Sequence, residues 1–384
     1  MYIEVCIKGV IIMHEGFIEQ ANIKRNDCLM KTEMLFVNNK NDWFVAFAEH
    51  FEAICGQIQK MQIDSKLSAI SYLEYTMLYT NFVNRQYISE IWVYDRESYL
   101  DKNQHMIDNY DISFLFAHFD ELWDELLALK RRYINKVSAK DVTNFMLQVL
   151  PDFYSYLANI ARFAVAECVD KTPFIDIKKN MIFMVNVGDY MVKTETILTE
   201  SKNKNANELA KWFYERLGNK YTFGDYSDLD FSAHCFTHND FRYAQFRGSK
   251  LNYSSLSKSS LIGTNFRNAE MEKCCLDGCA IYEADFSNAS LKNASFQNTY
   301  AKTGLINKKN WEFVGFLPVK FNNADLTGAN FTNANLIGAD FSNAVLTDAN
   351  FTNAIVDNAI FSSYDVPLTD DQIRKIIIKD KKKE

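Results

Sequence analysis

The sequence lacks any apolar run of about 18 residues, the length that a membrane-spanning helix needs. Residues 1–13 are apolar but contain Glu4 and Lys8, and no small-residue cleavage site follows them. We interpret them as a strand and not as a signal peptide. The eight cysteines form no regular framework, which favours reduced thiols and predicts a cytoplasmic location. The net charge of −7 is too small to indicate a partner by itself.

Common catalytic motifs are also missing. There is no phosphate-binding glycine loop and no nucleophile elbow. The acidic cluster at 120–125 has no Glu-x-x-His motif beside it, so a solvated helix face is favoured over a metal site. We therefore predict no enzymatic activity, no metal and no cofactor. An activity housed in the N-terminal part of the chain is the alternative to this prediction.

What the sequence does contain is a five-residue period between Phe321 and Phe361. The large apolar positions are Phe321, Leu326, Phe331, Leu336, Phe341, Leu346, Phe351, Val356 and Phe361. Alanine stands two positions before each of them from Leu326 onward. A period of five fits neither a helix, at 3.6 residues per turn, nor a strand, at 2. A fixed period of this kind indicates a repeat architecture.

A coil with four sides of five residues accounts for this period. Each side would point its large residue inward, and the small residue two positions earlier would fill a crowded corner. Successive coils would stack at about the strand spacing of 4.8 Å, so that residues 20 apart in sequence lie one above another. The remaining positions would face water. No repeat is stable alone, because stacking is what buries the shared core.

The same phase runs less regularly through 226–300. Cys274 and Cys279 fall on inward small positions there and Cys275 on an outward one, so we interpret them as core filler and not as zinc ligands. Residues 301–320 break the pattern without changing its phase, and they form either a projecting loop or one degenerate turn. Counted through this segment, the rod has nearly seven coils and a length of roughly 30 Å.

The repeat Ala324-Asp325-Leu326 and its neighbours follow the pattern A(D/N)Lxx, which resembles the pentapeptide-repeat proteins. The resemblance implies a right-handed quadrilateral β-helix. It also implies two family roles as candidates here: some members protect DNA gyrase and topoisomerase IV by imitating B-DNA in width and acidity, and many dimerise through their C-terminal ends.

The rest of the chain suggests three further segments. Residues 1–40 are predicted to be a strand and loop segment. Residues 41–220 are predicted to be an α-helical bundle, because apolar residues such as Phe47, Phe51 and Ile54 recur at helical spacing. After the repeats at 221–364, residues 365–384 are predicted to form a short capping helix and a basic tail, since Thr369 to Gln372 matches a capping box. The predicted fold class is therefore α+β multidomain.

The five-residue register predicts which side chains lie on the surface of the rod. An outward stripe rich in arginine and tyrosine, residues that are enriched at interfaces, marks a candidate partner surface. Its members are Arg242, Tyr243, Arg247, Ile262, Arg267, Tyr282 and Tyr300. The last coils form a candidate acidic surface without lysine or arginine, made of Asp325, Asp340, Asp348 and Asp357. A candidate end cap or dimer contact is made of Ile373, Ile376 and Ile377.

Two functions follow as hypotheses. The first is a non-catalytic scaffold whose rod binds a protein partner, unless the helical part or residues 301–320 cover the stripe. The second is a DNA-mimicking, topoisomerase-binding protein that confers resistance to inhibitors. The basic surface of residues 242–273 departs from that second role, because a DNA mimic should be acidic along its length. We expect no direct binding of nucleic acid and no membrane association, and the composition hints at a bacterial source.

Overall fold

The computed structural model describes residues 14–95, 104–189, 193–202, 204–215, 221–303 and 316–379. They divide into two compact units, with the boundary between Leu198 and Thr199. The second unit thus starts before the boundary at 220 that the sequence predicted. The predicted strand within 1–13 lies outside the described residues. No helix among these residues is long and apolar enough to cross a bilayer.

Long helices form one layer of the first unit. They are α1 (Glu15–Ile63), α3 (Ala117–Lys130) and α4 (Ala139–Ala166), and α1 packs against both of the others. The prediction of a strand and loop segment at 1–40 is wrong from Glu15 onward. Residues 25–40 looked polar, yet Cys28, Leu29 and Phe36 lie on one buried stripe of α1. A narrow stripe is enough when the rest of a helix faces water.

A five-stranded sheet forms the other layer, so the prediction of an all-helical bundle at 41–220 is wrong. Its order is β3-β2-β1-β4-β5, with β1 antiparallel to β2 and parallel to β4. The strands are β1 (Ile70–Met77), β2 (Ile88–Tyr94), β3 (His105–Asp111), β4 (Lys179–Asp189) and β5 (Lys193–Ser201). A short helix, α2 (Tyr79–Val83), joins β1 to β2.

The error has a physical reason. Leu73 and Met77 fit a helical spacing, but Leu73, Tyr75 and Met77 also alternate, and all three are fully buried on one face of β1. Short apolar runs cannot be assigned by period alone. The choice here is made by contacts distant in sequence, such as Phe47 of α1, whose ring centroid lies 5.0 Å from that of Tyr75.

The second unit is a solenoid of parallel rungs. Residues 20 apart are bridged in parallel from Asp225 and Gln245 to Asp340 and Ile360. The large residues point inward as predicted, and their rings stack from coil to coil. Phe321, for example, lies 5.2 Å from Phe286 below and 4.8 Å from Phe341 above, measured between ring centroids. The register inferred from the period of five is therefore confirmed.

The break at 301–320 takes up one side of a coil and not four. Across it Asp285 pairs with Lys320, and Tyr300 pairs with Asn335, 35 residues apart in both cases. Of the two alternatives, the degenerate full turn is therefore excluded. The solenoid therefore has three sides fewer than the number counted from the sequence.

Other elements cover the first coil of the solenoid and part of the last coil. Helix α5 (Ala206–Tyr214) covers the first coil through Phe213. At the other end α6 (Asp370–Ile373) begins with the predicted capping box between Thr369 and Gln372. This helix is only one turn long, so Ile376 and Ile377 lie outside it and the predicted three-isoleucine helical face is wrong. Ile377 belongs to β7 (Ile377–Ile378), which pairs in parallel with β6 (Ile360–Phe361).

Candidate protein-interaction surface

Every corner of the solenoid contains one residue in the left-handed backbone region. At the corner after Phe241, for example, the Ala244 amide donates to the Phe241 carbonyl at 3.0 Å and Tyr243 has φ +60°. Glycine and asparagine adopt this conformation most readily. Sequence reasoning treated this position simply as solvent-facing. Its signal was the Asn or Gly that recurs two positions after the large residue.

The two halves of the solenoid differ at this position. From Asn288 to Asn358 every described left-handed residue is Asn, Gly or Asp. At eight corners of the earlier coils this residue is not Asn, Gly or Asp. These residues are Phe223, Ala233, His238, Tyr243, Tyr253, Lys258, Lys273 and Glu283. An L-residue with a Cβ costs roughly 1–2 kcal/mol in this conformation. The stability of the folded solenoid therefore does not explain why these residue types occupy the left-handed positions.

Five of these side chains are exposed, and we name the four larger ones the corner patch: His238, Tyr253, Lys258 and Lys273. His238 and Lys258 stand one above the other on one side of the rod, while Tyr253 and Lys273 do so on the preceding side. The Lys273 Nζ lies 5.1 Å from the centre of the Tyr253 ring, which is 59 % exposed, and 3.6 Å from Glu272. The patch thus combines an accessible aromatic ring with basic groups.

The stripe predicted from the sequence is partly engaged within the solenoid itself. The Arg242 guanidinium donates to both carboxylate oxygens of Asp240, at 2.9 and 2.7 Å. Tyr243 stacks on Phe223 with ring centroids 5.2 Å apart. It also covers Gly263, where an added Cβ would lie only 2.3 Å from the Tyr243 ring. Arg242 and Tyr243 therefore make contacts within the solenoid and are not fully available to a partner.

Arg247 and Arg267 stack as predicted and are half-buried. Burial, with the nearby Arg267 charge, lowers the pKa of Arg247 below its usual value. The Arg267 Nε lies 3.8 Å from an Asp285 oxygen, which supplies a counter-charge. Ile262 is also half-buried. This part of the stripe is less accessible than its sequence pattern suggested.

At the far end of the stripe, Tyr282 and Tyr300 come together. Burial, followed by the neighbouring Tyr300, raises the pKa of Tyr282, whereas Tyr300 is 54 % exposed. Beside them the buried Glu283 carboxylate accepts hydrogen bonds from the amides of Phe316 and Leu317, where the chain re-enters the coil after the break. The re-entering residues thus cover the Glu283 corner, and Tyr300 is the accessible member of the pair.

The predicted acidic surface consists mainly of turn-forming carboxylates. Asp325 accepts from the amide and hydroxyl of Thr327 and lies 3.2 Å from the Lys292 Nζ. Asp340 accepts in the same way from Ser342. Asp357 lies 3.8 Å from the Lys375 Nζ, and Asp348 is exposed in a left-handed corner. Three of the four carboxylates therefore have local partners.

The cysteines of the solenoid give a test of its register. Cys274 and Cys279 are buried as predicted, and burial raises the pKa of each thiol to about 12. Cys235 is exposed. We expect iodoacetamide at pH 8 to label Cys235 in the native protein and to spare Cys274 and Cys279, because the thiolate is the reactive form. Peptide mapping by mass spectrometry measures this. Labelling of all three at equal rates in the folded protein would contradict the register.

A potential metal site is absent from the part of the chain that the structure describes, where no three His, Cys, Asp or Glu side chains are grouped to hold an ion. A cleft lies at the C-terminal end of the solenoid, and none of the corner-patch residues lines it.

Comparison with known proteins agrees with this geometry. The family model for pentapeptide repeats matches residues 240–278 and 324–362, in eight copies. No curated protein matches the chain. The two matched segments lie on either side of the break at 301–320, in the coils whose rungs are described above.

Similar solved structures include two pentapeptide-repeat proteins and one resistance protein. HetL from Nostoc sp. PCC 7120, involved in regulating heterocyst differentiation, is 16 % identical over 41 % of this chain and 98 % of its own, with a TM-score of 0.16. Rfr23 from Cyanothece 51142 is 19 % identical over 37 % and 86 %, with a TM-score of 0.21. Full-length QnrB1, a plasmid-mediated fluoroquinolone resistance protein, is 19 % identical over 41 % and 92 %, with a TM-score of 0.16.

These similarities are too low to carry a function across. The family match identifies residues 240–278 and 324–362 as pentapeptide repeats, which implies a right-handed β-helical solenoid, and the parallel rungs 20 residues apart within these segments agree with it.

Proposed function

We propose that this chain is a non-catalytic interaction protein and that the corner patch of its solenoid binds a protein partner. The observation that supports this is the placement of aromatic and basic side chains in left-handed corners of the early coils, whereas the described later coils have none there. Residues held in costly backbone conformations concentrate at functional sites. The described later coils have the same architecture and use Asn, Gly and, at Asp348, Asp in these corners, so the fold itself does not require aromatic or basic residues there.

The side chains of the corner patch indicate what kind of surface a partner would present. Tyr253 offers a flat ring with a polar tip, the kind of side chain that anchors interfaces. Lys273 lies over its ring, and Lys258 and His238 on the next side of the rod add further hydrogen-bond donors. We expect the partner to present an apolar depression for the ring, with carboxylates beside it. Arg242 and Tyr300 of the predicted stripe would lie at the rim of such an interface.

The topoisomerase-binding alternative would depend on the acidic coils. It is the less supported proposal, because Asp325 and Asp340 serve their own corner turns and Asp357 has a lysine near it. A supercoiling assay with a gyrase inhibitor separates the two proposals. Rescue by the wild type that is lost in Asp325→Asn/Asp348→Asn, but retained when the corner patch is changed, would favour the alternative.

The main test changes Tyr253, Lys258 and Lys273 together to asparagine. Since asparagine suits the left-handed conformation, we expect the variant to be more stable than the wild type, by roughly 1 kcal/mol or more in total. We also expect it to lose its partner in a quantitative pull-down with mass spectrometry. A gain in stability with a loss of binding is the pattern of a functional site.

A matched control, Thr332→Ala/Thr352→Ala, changes one half-buried and one exposed residue of the later coils, both outside the patch. We expect this control to retain the partner. If the asparagine variant keeps every partner at wild-type abundance while folding normally, the corner patch is not the binding surface.

A further inference from the structure

The last coil of the solenoid is covered along only part of its edge. Over its second half, the Gln372 side-chain amide donates to the carbonyls of Phe351 and Ala354, at 3.0 and 2.9 Å. The Lys375 carbonyl accepts from the Asn358 amide at 2.8 Å, and β7 pairs with β6. The side that contains Val345 and Leu346 has no such cover.

The coil below shows which backbone hydrogen bonds the Val345–Leu346 side lacks. There the amides of Leu326 and Gly328 donate to the carbonyls of Val345 and Thr347, both at 2.8 Å, and the Ala324 carbonyl accepts from Val345 at 2.9 Å. One coil later, the equivalent groups are the Leu346 amide, the Asp348 amide and the Ala344 carbonyl. Among the residues placed in the structure, these three groups have no hydrogen-bond partner.

Residues 362–379, the described part of the chain after the last coil, do not fill this position. The Asp365 amide, which would reach the Ala344 carbonyl in a regular coil, donates instead to the Ser363 hydroxyl at 2.8 Å. The Leu368 amide donates to the Val366 carbonyl at 2.7 Å, so this segment bonds within itself and not to the edge. A further rung could therefore be added only by another chain segment.

A cleft of about 620 Å³ lies between this edge and residues 361–367. Its volume is within the range of ligand sites, about 300–1,000 Å³. Val345 is 48 % exposed in it, and Leu346 is only half-buried, whereas Leu326 and Leu336 are fully buried. The lining includes the exposed carboxylates of Asp348 and Asp365 and no Lys, Arg or His. The cleft is thus apolar at its floor and acidic at its rim.

We propose that this cleft binds an extended basic peptide segment of a partner protein, which adds to the solenoid as the missing parallel rung. Pairing of a peptide with an open strand edge is a common recognition mode. A leucine-sized side chain of the peptide would stack on Leu346, and its Lys or Arg side chains would face Asp348 and Asp365. This site is separate from the corner patch, and the proposal does not depend on the patch.

A second copy of the chain is a poorer occupant than a basic peptide. In a two-fold contact the same patch meets itself. The carboxylates of Asp348 and Asp365 would then be brought together with their own copies, and like charges facing each other across an interface are unfavourable. The acidic rim therefore favours a basic segment.

The register of the rungs specifies the pairing in atomic terms. In a probe peptide Lys-Ala-Lys-Leu-Thr-Lys aligned with the repeat, the second lysine would donate its amide to the Ala344 carbonyl. Its own carbonyl would accept from the Leu346 amide, and the threonine carbonyl would accept from the Asp348 amide. The leucine amide would point away from the edge, as the Leu326 amide points to the next coil.

The test uses this peptide, labelled with fluorescein, and the full chain in an anisotropy titration. N-methylation of the second lysine removes the donor to Ala344, and we expect it to weaken binding roughly tenfold or more. N-methylation of the leucine is the matched control, and we expect affinity within about twofold of the parent peptide. Equal effects of the two methylations, or no binding of the parent peptide, would overturn the proposal.

Protein variants test the acidic rim. We expect Asp348→Asn and Asp365→Asn to weaken binding and to reduce its dependence on salt, because they remove attraction that salt screens. Asp357→Asn, which lies outside the cleft, should bind as the wild type does. Circular dichroism confirms that each variant is folded. If sedimentation shows a dimer that excludes the peptide, the edge is a self-association surface and the proposal is wrong.

Discussion

Replacement of Phe321 by aspartate is expected to abolish cooperative folding of the solenoid. Phe321 is fully buried and stacks between Phe286 and Phe341, with Phe296 and Phe331 packed edge-on at 5.5 and 5.6 Å. Loss of a buried Phe side chain alone costs about 3–5 kcal/mol. A carboxyl group in this apolar stack adds the cost of burying an unpaired polar group, on the order of a few kcal/mol. Together these approach the total stability of a typical domain, about 5–15 kcal/mol.

Thermal melting followed by circular dichroism, together with limited proteolysis, measures this effect. The matched control is Phe321→Leu. Leucine occupies the equivalent inward position at Leu326 and Leu336, so the site accepts its shape. We expect this control to cost about 1–1.5 kcal/mol. A Phe321→Asp protein with the melting curve of the wild type would show that this residue is not in the core.

The second large effect is expected for Phe213→Ala at the opposite end. Phe213 of α5 is fully buried, and its ring lies 4.8–5.6 Å from those of Tyr226, Phe231, Phe236 and Phe241. Truncation to alanine should cost about 3–5 kcal/mol. It would also uncover the first coil, because a terminal repeat needs a cover to remain soluble. We therefore expect a lower melting temperature together with concentration-dependent aggregation in light scattering.

The next residue of the same helix provides the control. Tyr214 is similar in size but is 53 % exposed. We expect Tyr214→Ala to cost about 1 kcal/mol or less and to leave the protein monodisperse. If the two variants aggregate equally, the loss of α5 residues in general, and not the uncovering of the aromatic core by Phe213, is responsible.

Prediction from the sequence succeeded where contacts are local and periodic. In a solenoid each side contacts only its neighbours along and across the coil, so the five-residue period fixes which residues are buried. That is why Phe231 through Phe361 and the buried Cys274 and Cys279 were placed on the inside. It failed for residues 70–77 and 179–189, whose apolar residues fit both a helix and a strand, because only partners distant in sequence decide between the two.

For the candidate surfaces, too, the sequence predicted what depends on the local repeat and missed what depends on contacts in three dimensions. The period identified which side chains point outward, such as Arg242 and Tyr243, but not which of them already contact other residues of the solenoid. The pairing of Arg242 with Asp240 and the stacking of Tyr243 on Phe223 became visible only in three dimensions. The corner patch was missed because the left-handed position was not recognised, although the recurring Asn and Gly had marked it.

The sequence by itself thus determined the solenoid, its inward residues and the N-capping signal of its tail, because each depends on residues within a few positions of one another. Tertiary structure alone decided that residues 301–320 fill a single side, since pairing across the break is selected by the coils above and below it. It alone also decided that the tail leaves the Val345–Leu346 edge open. The direction of a chain after its last rung depends on the balance of hydrogen bonds and packing there, and no repeat pattern specifies that balance.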